Sequence, residues 1–142
     1  MQKLIKNQLE MRQLAEGLAR DYQNDYKGGN IFALRGTLGA GKTFFAGAFI
    51  NALCGGGAEV VSPTFNLLSS YETSKGLVHH FDLYRLKNVD ELEEVGFFDC
   101  LKNGICLIEW PEIAVDFLPK GHAQVIIEVK NNDERLVTVV GG

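Results

Sequence analysis

The feature that most restricts how this 142-residue chain can fold is the octapeptide at residues 36–43, Gly-Thr-Leu-Gly-Ala-Gly-Lys-Thr. Its glycines, Gly36, Gly39 and Gly41, permit positive φ and let backbone N–H groups come close to whatever the loop encloses. The run before it, Ile31-Phe32-Ala33-Leu34, is apolar throughout, as in a strand covered on both faces. Residues 44–53 after it are apolar around most of a helical wheel and predict a buried helix. Strand, glycine turn and helix together predict an α/β three-layer architecture. Gly36-x-x-x-x-Gly41-Lys42-Thr43 also fits the Walker A pattern at every fixed position. The helix start would turn its dipole and unpaired N–H groups towards an anion. Lys42 would reach the β- and γ-phosphates of a nucleotide, and the Thr43 hydroxyl would ligate magnesium. Binding of ATP with Mg2+ is therefore the expected chemistry.

The rest of the chain supplies a sheet for that loop. Asn7 with Glu10 three residues on predicts a capped helix start, and Leu14, Ala15, Leu18, Ala19 and Tyr22 continue it as one apolar stripe. Lys27-Gly28-Gly29-Asn30 predicts the break after it, and Val60-Val61 begins an extended segment held out of the helical region by Pro63. Residues 65–71 and 77–82 flank Thr73-Ser74-Lys75-Gly76, a hairpin signal. Residues 125–129 and 136–140 flank Asn131-Asn132-Asp133, a second one. Residues 90–95 and 97–101 read as two short helices, and residues 105–108 as another all-apolar strand. The two hairpins make the central sheet mixed, with antiparallel strands towards one or both edges. The expectation is a P-loop NTPase-like fold in a single domain over residues 1–142, since this length suits one core.

A P-loop enzyme needs acids at the ends of neighbouring strands, to hold magnesium or orient the attacking water. Val78-His79-His80-Phe81-Asp82 and Ile105-Cys106-Leu107-Ile108-Glu109 each end in one. Open α/β sheets bind ligands at that edge. Spacing alone leaves open which acid serves the metal and which the water, and each could instead cap a helix or face solvent. His79 and His80 are adjacent on a strand, so they point to opposite faces and do not chelate together; one buried and one exposed is expected. His122 stands apart from them in sequence. Trp110 could stack on a base or a partner, or belong to the core. Arg85 could stabilise charge on a γ-phosphate, or form a surface salt bridge. Cys54, Cys100 and Cys106 are odd in number and form no C-x-x-C pair, which favours buried free thiols.

Four motifs in order, residues 36–43, Ser62-Pro63-Thr64-Phe65, His80-Phe81-Asp82-Leu83-Tyr84-Arg85-Leu86 and Glu109-Trp110-Pro111-Glu112, resemble the bacterial TsaE (YjeE) family. These are small ATPases required for the threonylcarbamoyl modification of adenosine 37 in tRNA. The resemblance implies that residues Leu38, Gly39, Ala40, Gly41, Lys42, Thr43 and Phe44 contact ATP phosphates. It implies that Thr43 and Glu109 ligate magnesium, that Asp82 serves hydrolysis with Lys42, and that Trp110 sits beside the site. The Ser62-Pro63-Thr64 stretch would be a switch-like loop near the γ-phosphate. The implied partners are the transferase subunits TsaD and TsaB, on which the family's ATPase depends. Departures from the family pattern are Met11, where a nucleotide-contacting threonine is often found, Phe44, in place of a threonine, and the Gly55-Gly56-Gly57 stretch.

Two rival readings come from other classes. A small kinase needs several cations to clamp acceptor and phosphoryl group, yet after Lys42 the candidates are Arg85 and Arg135. The other rival is a nucleotide-dependent binding module without useful turnover, against which Asp82 and Glu109 argue weakly. The net charge of −4, with scattered Lys and Arg, disfavours direct gripping of tRNA, so contact with it would be indirect, through the complex. No apolar run approaches the ~20 residues of a membrane span, and residues 1–7 carry no apolar signal core, so a cytoplasmic location is expected.

Overall fold

The computed structural model describes residues 1–24, 31–56 and 67–141. Along the chain come β1 (Gln2–Ile5), α1 (Gln8–Asn24), β2 (Ile31–Gly36), α2 (Lys42–Leu53), β3 (Leu68–Thr73), β4 (Gly76–Asp82), α3 (Asp90–Glu94) and α4 (Phe97–Lys102). They are followed by β5 (Ile105–Glu109), a 3-10 helix (Pro111–Phe117), β6 (Ala123–Val129) and β7 (Arg135–Val140). The seven strands form one sheet in the order β1-β7-β6-β2-β5-β4-β3. Its middle, β6-β2-β5-β4, is parallel. Both edges are antiparallel, through the hairpins β3–β4 and β6–β7 and the pairing of β1 with β7. The sheet is thus mixed as expected, and the hairpins place their antiparallel strands at both edges.

Two apolar clusters cover the two faces and make three layers. On one face Met11, Ala15 and Ala19 of α1 and Phe45, Phe49 and Ile50 of α2 pack on Leu34, Val78, Ile105 and Leu107. On the other, Leu92 of α3, Phe97 of α4 and Ala114 of the 3-10 helix pack on Ala33, Phe81, Cys106 and Ile108. Alternation along β5 therefore sends Ile105 and Leu107 towards α2 and Cys106 and Ile108 away from it. Burial raises the pKa of the Cys106 thiol to about 12. Among the described residues, no helix is long and apolar enough to cross a membrane.

Local sequence explains the starts of α1 and α2. The Asn7 side chain accepts the Glu10 N–H at 2.9 Å, and the Glu10 carboxylate accepts the Lys6 N–H at 2.9 Å, a reciprocal cap for α1. Helix α2 starts at Lys42, two residues before the apolar run suggests, because Gly41, at φ 113°, turns the chain directly from loop into helix. Strand β1 carries no alternating signal in the sequence, because Ile5 alone of its four residues is buried. The expectation for the histidines needs correction. His79 and His80 do point to opposite faces, but both are buried, because both faces of β4 are covered. The expected helix break at 27–30, the extended segment at 60–61 and the motif at 62–65 lie outside the described residues.

Candidate functional site

The ligand edge of the sheet is set by β2, β5 and β4. The loop leaves β2 at Gly36, where an added Cβ would meet the Ile127 carbonyl at 2.7 Å, so the backbone packs as only glycine allows. Gly39 (φ 80°) and Gly41 (φ 113°) take left-handed conformations within the loop. The loop brings its residues to different depths. Leu38 is 74% exposed at the rim, Ala40 is buried, and Phe44 is partly buried against the core, with the Arg12 guanidinium 5.8 Å from its ring centroid.

Lys42 and Thr43 lie in the first turn of α2, over the carboxyl ends of the parallel strands. The Lys42 ammonium is folded back into the loop, donating to the Gly36 carbonyl at 2.6 Å and the Thr37 carbonyl at 3.1 Å. It also lies 3.8 Å from the centroid of the Trp110 ring. Burial lowers its pKa, against the opposing pull of Glu109, Asp82 and Glu112. Oriented carbonyls and an aromatic face are how a buried cation is accommodated.

Asp82 and Glu109 end adjacent parallel strands and are register partners. Both continue the parity that faces α2. Glu109 is 2% exposed, and its two oxygens accept the Thr43 hydroxyl at 2.8 and 3.0 Å. Its Oε2 also lies 2.6 Å from His80 Nε2. A carboxylate can only accept, so His80 donates through Nε2–H. Asp82 sits nearer the cleft, where Oδ1 accepts the Tyr84 N–H at 3.1 Å. Burial raises the Asp82 pKa and Glu109 adds to the rise, while the Tyr84 N–H, His80 and Lys42 oppose it.

These groups line one cleft of about 310 Å³, with Leu38, Leu67, Tyr84, Arg85 and Trp110 completing its walls. Trp110 takes a left-handed backbone conformation (φ 54°) just before Pro111, and its ring packs on Tyr84 with centroids 4.8 Å apart. That turn sets the indole against the Lys42 ammonium, so Trp110 lines the cleft and is not part of the core. Arg85 is exposed on the cleft wall, and it forms no ion pair among the described residues.

The residues suit Mg2+ and a phosphate chain. Thr43 and Glu109 offer adjacent hard oxygen donors. Among the described residues no three of His, Cys, Asp and Glu converge to hold a metal alone. A cation here would share these donors with phosphate oxygens, the usual arrangement for magnesium.

Two features escaped the sequence reading. One is the His80–Glu109 contact. His80 and Asp82 are two residues apart on a strand and so share a face, a signal that was present. The other is a groove of about 510 Å³ on the far side of the loop, lined among others by Met11, Gly39, Gly41, Phe44, Asn132 and Arg135. Arg135 braces this side of the loop, donating through Nε to the Ala40 carbonyl at 3.0 Å. Residues 62–65, expected beside the γ-phosphate, lie outside the described residues.

Comparison with known proteins gives consistent results. Residues 5–137 match the family model described as Threonylcarbamoyl adenosine biosynthesis protein TsaE. The tRNA threonylcarbamoyladenosine biosynthesis protein TsaE of Rickettsia felis is 40% identical over 137 residues, covering 96% of this chain and 78% of that protein. The Bacillus subtilis protein of the same name is 36% identical over 114 residues, covering 79% of this chain and 70% of its own length. The crystal structure of Bacillus subtilis YdiB aligns with a TM-score of 0.75 at 29% identity, covering 100% of this chain and 86% of that one. The fold is accordingly P-loop NTPase-like.

Proposed function

The chain belongs to the TsaE family, and from that premise we propose that it binds and hydrolyses Mg-ATP to support threonylcarbamoylation of tRNA adenosine 37, together with the transferase subunits TsaD and TsaB. The observation that carries this reading is the convergence of Lys42, Thr43, Asp82 and Glu109 on one cleft at the carboxyl ends of β2, β4 and β5.

In this reading the N–H groups of residues 39–43 and the start of α2 receive the phosphates. Lys42 exchanges its contacts with the Gly36 and Thr37 carbonyls for β- and γ-phosphate oxygens. Thr43 and Glu109 hold magnesium, which neutralises charge on the phosphates. Asp82, partly buried beside the cleft, orients the attacking water. Its raised pKa, set mainly by burial, makes it a better proton acceptor than an exposed aspartate. The base of the nucleotide takes the groove beside Met11 and Arg135, with Phe44 between the two sides of the loop. Leu38 and Trp110 wall the phosphate end.

Turnover by the chain alone is slow in this account. Lys42 and Arg85 are the cations lining the cleft, and groups supplied in trans raise turnover of P-loop enzymes by roughly 10³–10⁵. The exposed rim of Leu38 and Tyr84 leaves room for a completing surface, and TsaD–TsaB is that surface. The chain works in the cytoplasm and meets tRNA through the complex, consistent with its net charge of −4. Steady-state ATPase measured against rising TsaD–TsaB, with complex affinity compared in ATP analogue and in ADP, tests the proposal. A flat rate curve with equal affinities would overturn it.

A further inference from the structure

His80 is fully buried, on the same face of the sheet as Glu109 and Thr43. A histidine among Val78, Leu107 and the helices could be replaced by an apolar residue if packing were its only task. Among the described residues its polar contact is the 2.6 Å hydrogen bond from Nε2 to Glu109 Oε2. Its Nδ1 is buried and has no hydrogen-bond partner among the described residues. A buried polar atom without a partner is costly, so the ring keeps that cost for the sake of what Nε2 does. With Oε2 committed to His80, Glu109 cannot rotate freely, and Oε1 is left beside the Thr43 hydroxyl at 2.8 Å. His79, its neighbour, shows the contrast: both its nitrogens are occupied, by Ser70 Oγ at 2.7 Å and the Asn103 carbonyl at 2.9 Å, on the face away from the site.

We propose that His80 is a positioning residue for magnesium binding: its Nε2–H fixes the Glu109 carboxylate in the orientation that, with Thr43, receives the cation. This rests on the proposed role of Glu109 as a ligand. Groups that hold a ligating carboxylate typically change metal affinity by roughly 10–100-fold when removed.

The test is a set of magnesium titrations of ADP binding by calorimetry, on wild type, His80→Phe, His80→Gln, His80→Asn and Glu109→Gln, each repeated in chelator. Gln carries an N–H at the reach of Nε2, whereas Asn is too short. The expected result is a magnesium requirement raised roughly 10–100-fold in His80→Phe and His80→Asn and restored towards wild type in His80→Gln. Chelator-measured ADP affinity is expected to be unchanged in all of them. If His80→Phe does not fold, the Gln and Asn pair decides. Wild-type titrations in His80→Asn and His80→Phe, with Glu109→Gln impaired, would overturn the role of His80 alone. Equal impairment of Gln and Asn, or loss of chelator-measured affinity, would make His80 merely structural and also overturn it. A wild-type titration in Glu109→Gln would instead overturn the assignment of Glu109.

Discussion

Replacing Glu109 by Ala and by Gln should separate two jobs that the same side chain performs. Glu109 is the acceptor for His80 Nε2–H at 2.6 Å and for the Thr43 hydroxyl at 2.8 Å. Both substitutions remove the buried charge, so that relief is common to them. They differ in that Gln keeps an oxygen for His80 while Ala leaves Nε2–H with no acceptor in a fully buried position. An orphaned buried donor costs about 1–3 kcal/mol. Thr43 is half-buried at the cleft, where water can replace the lost acceptor, so it adds little. Glu109→Ala should therefore be about 1–3 kcal/mol less stable than Glu109→Gln, a melting temperature lower by roughly 3–12 °C for a chain of this size.

Thermal melts of the two variants without nucleotide or magnesium measure that difference directly, and urea titrations check that the slope is unchanged. Equal stability of the Ala and Gln variants would refute the reasoning, since it would mean that the buried hydrogen bond to His80 contributes nothing. Nucleotide binding is read separately. Both variants should lose the magnesium-dependent part of their affinity, because an amide is a poorer ligand than a carboxylate and alanine is none.

Two further substitutions follow from the same geometry. Lys42→Ala should lose roughly 10–100-fold in ATP affinity by calorimetry, the equivalent of a charge-assisted hydrogen bond of about 1.5–3 kcal/mol; unchanged affinity would remove Lys42 from the phosphate site. Asp82→Asn should bind ATP nearly as wild type but hydrolyse it poorly, and near-normal partner-stimulated turnover would exclude Asp82 from the chemistry. The same variant should show a pH signature. The Asp82 pKa is raised above its ordinary 3.8 on folding, so the folded state binds more protons there and its stability falls as pH rises through that window. Asparagine keeps the acceptor for the Tyr84 N–H without the charge, so Asp82→Asn should be at least as stable as wild type near neutrality. That advantage should vanish below about pH 3.8, and melts across pH check it.

What the sequence made legible was local. The loop announced itself because the residue types at 36–43, the apolar strand before and the apolar helix after are contiguous, and backbone geometry allows few other uses of such a stretch. Asp82 and Glu109 were legible because each ends an apolar run, and they could be placed at a common edge because crossovers in parallel sheets keep strand ends together. Which of the two lies deeper was not legible. It depends on β4 and β5 being neighbours in register, so that Glu109, flanked by β2 on its other side, is enclosed while Asp82 borders the β3–β4 hairpin and the cleft.

The same limit explains His80 and Trp110. Alternation put His80 on the face of Asp82, but only the pairing of His80 with Leu107 sets its ring against Glu109, 29 residues away in sequence. Alternation also says nothing of whether the opposite face is covered, which is why one exposed histidine was expected and none was found. For Trp110 the decisive fact is a backbone angle. At φ 54° the chain leaves β5 in a turn that ordinary extension does not suggest, and the indole arrives above Lys42. The carboxylate read from sequence is therefore held from two sides, and only the strand pairing places His80 beside it. Thr43 reaches it from the start of α2 and His80 from the next strand, so substituting the carboxylate alone would not separate its proposed ligand role from these two contacts.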